Sequence, residues 1–379
     1  MDVLIVGETL RTPELRHEVP LAILDQFVYA EVDGQRVVAI ASMEMGRIES
    51  LETGLDARPF EEFGADDLRG TGLDAHGFMN ELTLRIVRGL GLEQATVPRG
   101  FPLGVADALR AGGIGLTVDQ KLFDDRRRVK NEHELAGVRR AQKASEEAMA
   151  AVADLLRRSE ARKGGRVVDG QPLTCELLRE RIQSVLISRS AFAEEIIASH
   201  GAQTAIGHET GSGRIEADDI ILIDLFPVDL ESACFADMTR TFALGEVGDE
   251  LLESHRLCKE ALELALAEVR PGANGGAIHR AVCSLFGEHG YPTPVTKKEG
   301  EVLVDGFTHA LGHGVGLEAH ESPYMGTTIG EDLAAGDVIA LEPGLYRNGV
   351  GGVRLEDLVR VTDDGYELLT DFPYDLAVG

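Results

Sequence analysis

The chain has 379 residues, which suits two domains of roughly 100 to 250 residues, each with its own core. Hydrophobic residues make up 44% and charged residues 27%, which argues against a disordered chain, and no apolar run approaches the roughly 18 residues of a membrane span. The net charge of -28, from 65 acidic against 37 basic residues, repels nucleic acid and anionic lipid alike, so neither is an expected partner and a soluble, cytoplasmic protein is the plain reading.

Residues 2–7 form an apolar opening without the glycine pattern of a nucleotide-binding turn. Two strand-like runs, 27–30 and 37–40, flank Asp33-Gly34 and predict a hairpin. The charged run 124–130 is expected to be solvated and to mark the boundary between a domain at 1–128 and one at 129–379. Asn131 follows as the cap of a long helix with apolar positions Leu135, Val138, Ala141, Ala148, Met149 and Val152. Further helices are predicted at 174–187, 249–269 and 275–288, and strands at 219–226, 234–243, 337–346 and 352–362, with a glycine-rich turn at 348–352. Helices and strands in separate blocks predict an α+β domain. Cys175, Cys234, Cys258 and Cys283 are far apart and contain no Cys-x-x-Cys pair, as expected of reduced core thiols.

The informative feature is acidic residues set into apolar strands. Asp224 ends the run 220–223, Asp237 lies in 234–242, Glu342 follows Ile339-Ala340-Leu341, and Glu356 follows Val353-Arg354-Leu355. A lone buried carboxylate costs several kcal/mol unless it is neutralised, paired or bound to metal. Arg240 or a threonine hydroxyl is the local answer for Asp237. Four such carboxylates exceed what one arginine can neutralise, whereas two divalent cations carry the matching charge. The segment 308–321 adds His309, His313 and His320, with Gly312, Gly314 and Gly316 between them leaving the backbone free to approach closely.

These motifs, Asp-Met-Thr-Arg-Thr, Gly-His-Gly-Val-Gly-Leu, Leu-Glu-Pro-Gly and Val-Arg-Leu-Glu-Asp, give residues 129–379 a specific resemblance to the pita-bread dinuclear metallopeptidases. The whole chain resembles the Xaa-Pro aminopeptidases and Xaa-Pro dipeptidases (prolidases), with residues 14–47 similar to the start of their smaller, creatinase-like α/β N-terminal domain. The resemblance implies metal ligands at Asp224, Asp237, His313, Glu342 and Glu356, with Asp237 and Glu356 bridging. It implies two divalent ions, with Mn²⁺ favoured by a mostly oxygen donor set and Co²⁺, Zn²⁺ or Fe²⁺ as alternatives. It further implies hydrolysis of peptides with proline at the second position through a metal-bridging hydroxide, in a homodimer. Glu342 would shuttle the proton, His208 and His320 would bind the substrate carbonyl, Arg354 would orient Glu356 or meet a substrate carboxylate, and His309 would support the substrate pocket. Thr239, Arg240, Thr241 and Asp357 are expected to orient the ligands. Two departures stand out: Phe226 replaces a usual glycine two positions after Asp224, and the Asp224 to Asp237 spacing is about two residues long. The alternatives are a metal-dependent hydrolase of another small amide, a metal-free creatinase-like amidinohydrolase, and a non-catalytic binding module. The intact ligand set counts against the last two.

Overall fold

The structure is a computed structural model that describes residues 2–51 and 53–377. It divides into two compact units, with the division between Arg127 and Arg128.

The first unit is a mixed sheet in the order β4-β3-β2-β1-β5-β6, built from β1 (Val3–Gly7), β2 (Phe27–Val32), β3 (Gln35–Ile40), β4 (Asp56–Pro59), β5 (Gln94–Val97) and β6 (Gly115–Val118). The predicted hairpin is β2–β3. Asp33 and Gly34 have φ of 50° and 81°, the left-handed pair that lets a two-residue turn follow the strand twist. Alternate residues of β1 serve two cores: Leu4 and Val6 meet Leu82, Ile86 and Leu109, while Val3 and Ile5 meet Leu15, Ile23 and Phe123.

The run 124–130 is less solvated than its charge suggests. Arg126 is paired with Glu18 and Glu31 in the first unit at 2.9 and 2.7 Å. Arg128 grips the fully buried Asp337 of the second unit through two bonds of 2.9 and 2.7 Å, and Lys130 pairs with Glu321. Each of these cations has a buried or half-buried acid to satisfy, and that requirement draws the run into the two cores.

In the second unit the helix Glu132–Arg158 starts at a reciprocal cap. The Glu134 amide donates to the Asn131 side chain (2.9 Å) and the Asn131 amide to the Glu134 carboxylate (3.0 Å). A small ribbon follows, comprising β7 (Glu160–Arg162), β8 (Gly165–Val168) and β9 (Gln171–Pro172), then the helix Cys175–Ser188. β10 (Ala191–Phe192) pairs with β13 (Val228–Asp229), and β11 (Ile197–His200), β12 (Asp219–Leu225) and β14 (Met238–Leu244) form a three-stranded antiparallel sheet. The helices 132–158 and 175–188 cover the face of this sheet carrying Ile221, Ile223, Leu225 and Met238. Asp224 therefore points to the opposite face.

The helices Asp249–Glu268 and Gly275–Glu288 pack in the same manner on a second sheet of order β16-β15-β17-β20-β21. Its strands are β15 (Gly312–Gly314), β16 (Glu321–Met325), β17 (Val338–Leu341), β20 (Asp357–Val361) and β21 (Tyr366–Leu368). The four cysteines are buried and free. Among the described residues no helix is long and apolar enough to cross a membrane.

Three predicted strands are shorter than expected, and the losses fall at the acidic residues. The run 234–243 becomes a strand only at Met238, one residue after Asp237. The run 337–346 breaks into β17 and β18 (Gly344–Arg347), and 352–362 into β19 (Gly351–Arg354) and β20. Pro343 lacks the N–H that a continuous ladder requires.

Gly316 shows how tightly the histidine-bearing segment is tied down. A Cβ there would lie 2.5 Å from Glu321 Oε1 and 2.7 Å from Lys130 Cε, so a side chain at this position would displace the Lys130–Glu321 pair. Both side chains are almost fully buried. Removing one partner strands a buried charge, so Lys130→Met should destabilise the protein by about 3 kcal/mol in denaturant unfolding. A loss below about 1 kcal/mol would mean that this pair does not hold the segment.

Candidate metal centre

Register explains how residues more than a hundred positions apart converge. Leu341 lies opposite Asp357 in the β17–β20 pairing and Gly344 opposite Arg354 in β18–β19. Both pairings share one register, so the two strand breaks coincide and place Glu342 opposite Glu356. His313 lies opposite Ala340, two residues before Glu342, and strand alternation brings both to one face. From the other sheet, Asp224 pairs with Thr239, with Asp237 two residues before it.

The result is a cavity of about 560 Å³. Its walls include all nine residues singled out from the sequence: His208, Asp224, Asp237, His309, His313, His320, Glu342, Arg354 and Glu356. Donor atoms of Asp224, Asp237 and Glu356 lie within 4.8 Å of one another, as do those of His313, Glu342 and Glu356. The two triads share Glu356. A third grouping joins Asp237 to His313 and His320.

Burial and mutual repulsion dominate the electrostatics. Desolvation, then the charge of Glu356, pushes Asp237 well above the ordinary carboxylate range, and Glu342 is raised for the same two reasons. Desolvation followed by the Asp224 charge raises Glu356 to about 8. The histidines move the other way. Burial lowers His313 to about 3, with His320 adding to the effect, and burial lowers His309 to about 3, with Arg354 adding. Burial also lowers His320. The rings of His313 and His309 are therefore neutral. The Nδ1 of His313 faces the Gly314 carbonyl at 3.1 Å, which leaves the Nε2 lone pair directed at the acids, 3.6 Å from Glu342 and 3.9 Å from Asp237.

Several supporting contacts differ from expectation. Arg240 bonds neither Asp237 nor its carboxylate; it donates to Asp357 (2.9 Å) and to the Glu356 carbonyl (2.7 Å), so it fixes the backbone that carries Glu356. Thr239 donates to the Glu356 carboxylate at 2.7 Å instead of Asp237. Thr241 exchanges bonds with the Arg354 backbone at 3.0 and 3.1 Å. Arg354 turns to Asp224, not to Glu356, and also donates to Thr239 (3.2 Å) and Tyr346 (2.8 Å). Arg354 is the last residue of β19 and Glu356 lies in the break that follows it, and the guanidinium reaches Asp224 of β12.

Tyr346 is the residue that the sequence reading missed. Its hydroxyl accepts from Arg354 and lies 2.8 Å from His309 Nε2, linking the guanidinium to the histidine segment. A signal was present, because Tyr346 stands two strand positions beyond Gly344 and shares the face of Glu342. Glu195 and Tyr324, also lining the cavity, went unremarked.

The donor set fits cations. Asp224 Oδ1 is buried with no hydrogen-bond partner among the described residues, and one arginine faces four carboxylates. Neutral imidazole beside ionisable carboxylates is the chemistry of a divalent-metal site. The two helix-covered sheets and the acidic centre lining the cavity thus define a pita-bread fold of the metallopeptidase type. Residues 136–363 match metallopeptidase family M24, and the chain belongs to that family. It is 31% identical over 265 residues to an uncharacterized peptidase of Staphylococcus aureus (strain USA300), a match covering 69% of this chain and 66% of that relative. The X-Pro aminopeptidase of Thermotoga maritima MSB8 superposes with a TM-score of 0.78 at 21% identity, covering 99% of this chain and 97% of the other. The Xaa-Pro dipeptidase of Bacillus anthracis gives 0.79 at 21%, covering 99% and 94%. At these identities the structures establish the shared fold.

Two outcomes follow from the geometry. Tyr346→Phe removes the acceptor of a buried guanidinium N–H, so it should lower stability by about 1 to 3 kcal/mol in denaturant unfolding. The second concerns pH. Glu356 is raised in the folded chain from an ordinary 4.5 to about 8, so folding favours its protonated form. That contribution is complete below the ordinary value and is lost as pH rises through the folded one. A divalent cation favours the ionised form instead. The rise in melting temperature on adding Mn²⁺ should therefore grow between about pH 5 and about pH 8. Equal rises at both ends would contradict the assignment.

Proposed function

We propose that the chain is a metal-dependent exopeptidase that hydrolyses the bond between an N-terminal residue and a following proline, in dipeptides or longer peptides. The observation carrying this reading is the pair of donor triads sharing Glu356 within one cavity. Asp224, Asp237 and Glu356 would hold one divalent ion, and His313, Glu342 and Glu356 the other, with Asp237 shared. Their oxygen-rich donor set favours Mn²⁺. When bound, the ions would polarise the scissile carbonyl and lower the pKa of the attacking water.

The remaining chemistry belongs to side chains. Glu342, raised by burial, takes the proton released by the attacking water and passes it to the leaving nitrogen. His208 and His320 line the cavity and would donate to the substrate carbonyl and to the oxyanion that develops from it. Arg354 holds Asp224, and Tyr346 with His309 keeps the guanidinium aimed. Support comes from the convergence of all nine residues and from the fold shared with proteins titled X-Pro aminopeptidase and Xaa-Pro dipeptidase.

The test is chelation followed by restoration with Mn²⁺, Co²⁺ or Zn²⁺, with hydrolysis of an Xaa-Pro dipeptide and tripeptide measured alongside metal content. Activity should vanish and return. Glu342→Gln should lower kcat by about 10²- to 10⁴-fold, and His320→Ala by about 10²- to 10³-fold. Silence on both peptides with metal restored, or faster turnover of a non-peptide amide, would overturn the substrate assignment.

A further inference from the structure

We propose that Glu195 and Phe226 form a subsite for a cationic side chain on the residue preceding the scissile bond, so that peptides beginning with lysine or arginine are preferred. This rests on the Xaa-Pro reading above. Ile197 of β11 pairs with Asp224 of β12, and Glu195 and Phe226 each stand two residues outward along these chains. Both line the cavity beside His208. The cavity thus has a carboxylate-rich inner end and an outer wall made of an aromatic ring and one further acid.

Charge decides what the outer wall can hold. Glu195 makes no hydrogen bond or ion pair among the described residues, whereas Asp224, Glu342 and Glu356 all lie in the inner set with Asp237. The arginine lining the cavity, Arg354, is committed to Asp224, Thr239 and Tyr346. Two divalent ions match the four inner carboxylates and leave the Glu195 charge for a ligand. A bare α-ammonium would make no use of the Phe226 ring. A lysine or arginine side chain uses both groups, laying its methylene stem on the ring and bringing its head to the carboxylate. Phe226 stands where the resemblance drawn from the sequence implies a glycine, and its ring adds apolar surface to this wall.

Glu195 is exposed, so the preference is moderate, about two- to fivefold, and shrinks with added salt. The experiment compares kcat/KM for lysyl-proline, arginyl-proline and norleucyl-proline, the last keeping the stem without the charge. In the unmodified enzyme the ratio of lysyl to norleucyl substrate should be about two to five, fall towards one in Glu195→Gln, and drop below one in Glu195→Lys. A ratio near one in the unmodified enzyme, or a Glu195→Gln change that slows both substrates equally, overturns the subsite while leaving the Xaa-Pro assignment standing. Failure to cleave any of the three with metal restored removes that assignment and the subsite with it.

Discussion

Four carboxylates around a single guanidinium, three of them buried and Glu342 half-buried, are the constraint on which the second unit depends. Asp224, Asp237, Glu342 and Glu356 cannot all ionise in a desolvated cavity against Arg354 alone, and the upward displacement of three of them expresses that conflict. Protons relieve it at low pH, and divalent cations relieve it where the acids are ionised. His313, buried among the acids and lowered by the same desolvation, offers a lone pair to a cation and adds no positive charge of its own. One physical condition, exclusion of water, thus prepares both kinds of donor.

Such a centre survives folding because the sheets around it are interrupted where it lies. A continuous ladder through residues 338–347 and 351–361 would leave little room for paired glutamates. Pro343 breaks one strand, the break in the other falls at the same level, and Glu342 and Glu356 meet in the gap. The helices on the outer faces supply the apolar burial that keeps the interrupted sheets together. Packing on one side of each sheet therefore sustains a polar centre on the other.

The surrounding residues divide the work by what they touch. Arg240, held by Asp357, fixes the backbone of Glu356, and Thr239 holds its carboxylate. Arg354 ties Asp224 on one sheet to Tyr346 and, through it, to His309. The Lys130–Glu321 pair anchors the turn beside His320. These connections join chain segments far apart in sequence, so a change in any one is felt at the donors as a change of position before it is felt as a change of charge.

Local order set the long helices and the β2–β3 hairpin, because Asn131, Thr174 and Asn274 cap their own helices and Asp33-Gly34 supplies its own turn geometry. The four carboxylates were legible for a related reason: an acid in an apolar run demands compensation wherever it ends up, whereas the choice of His313 among three histidines came from the family resemblance alone. What compensates it depended on the fold. Arg240 stands three residues from Asp237 yet reaches Asp357, and Arg354 stands two from Glu356 yet reaches Asp224. Tyr346 and Glu195 acquire their meaning only from strand register. Side-chain partners across a sheet are selected by pairing over more than a hundred residues, and nothing in a local stretch of chain encodes which strand will lie opposite.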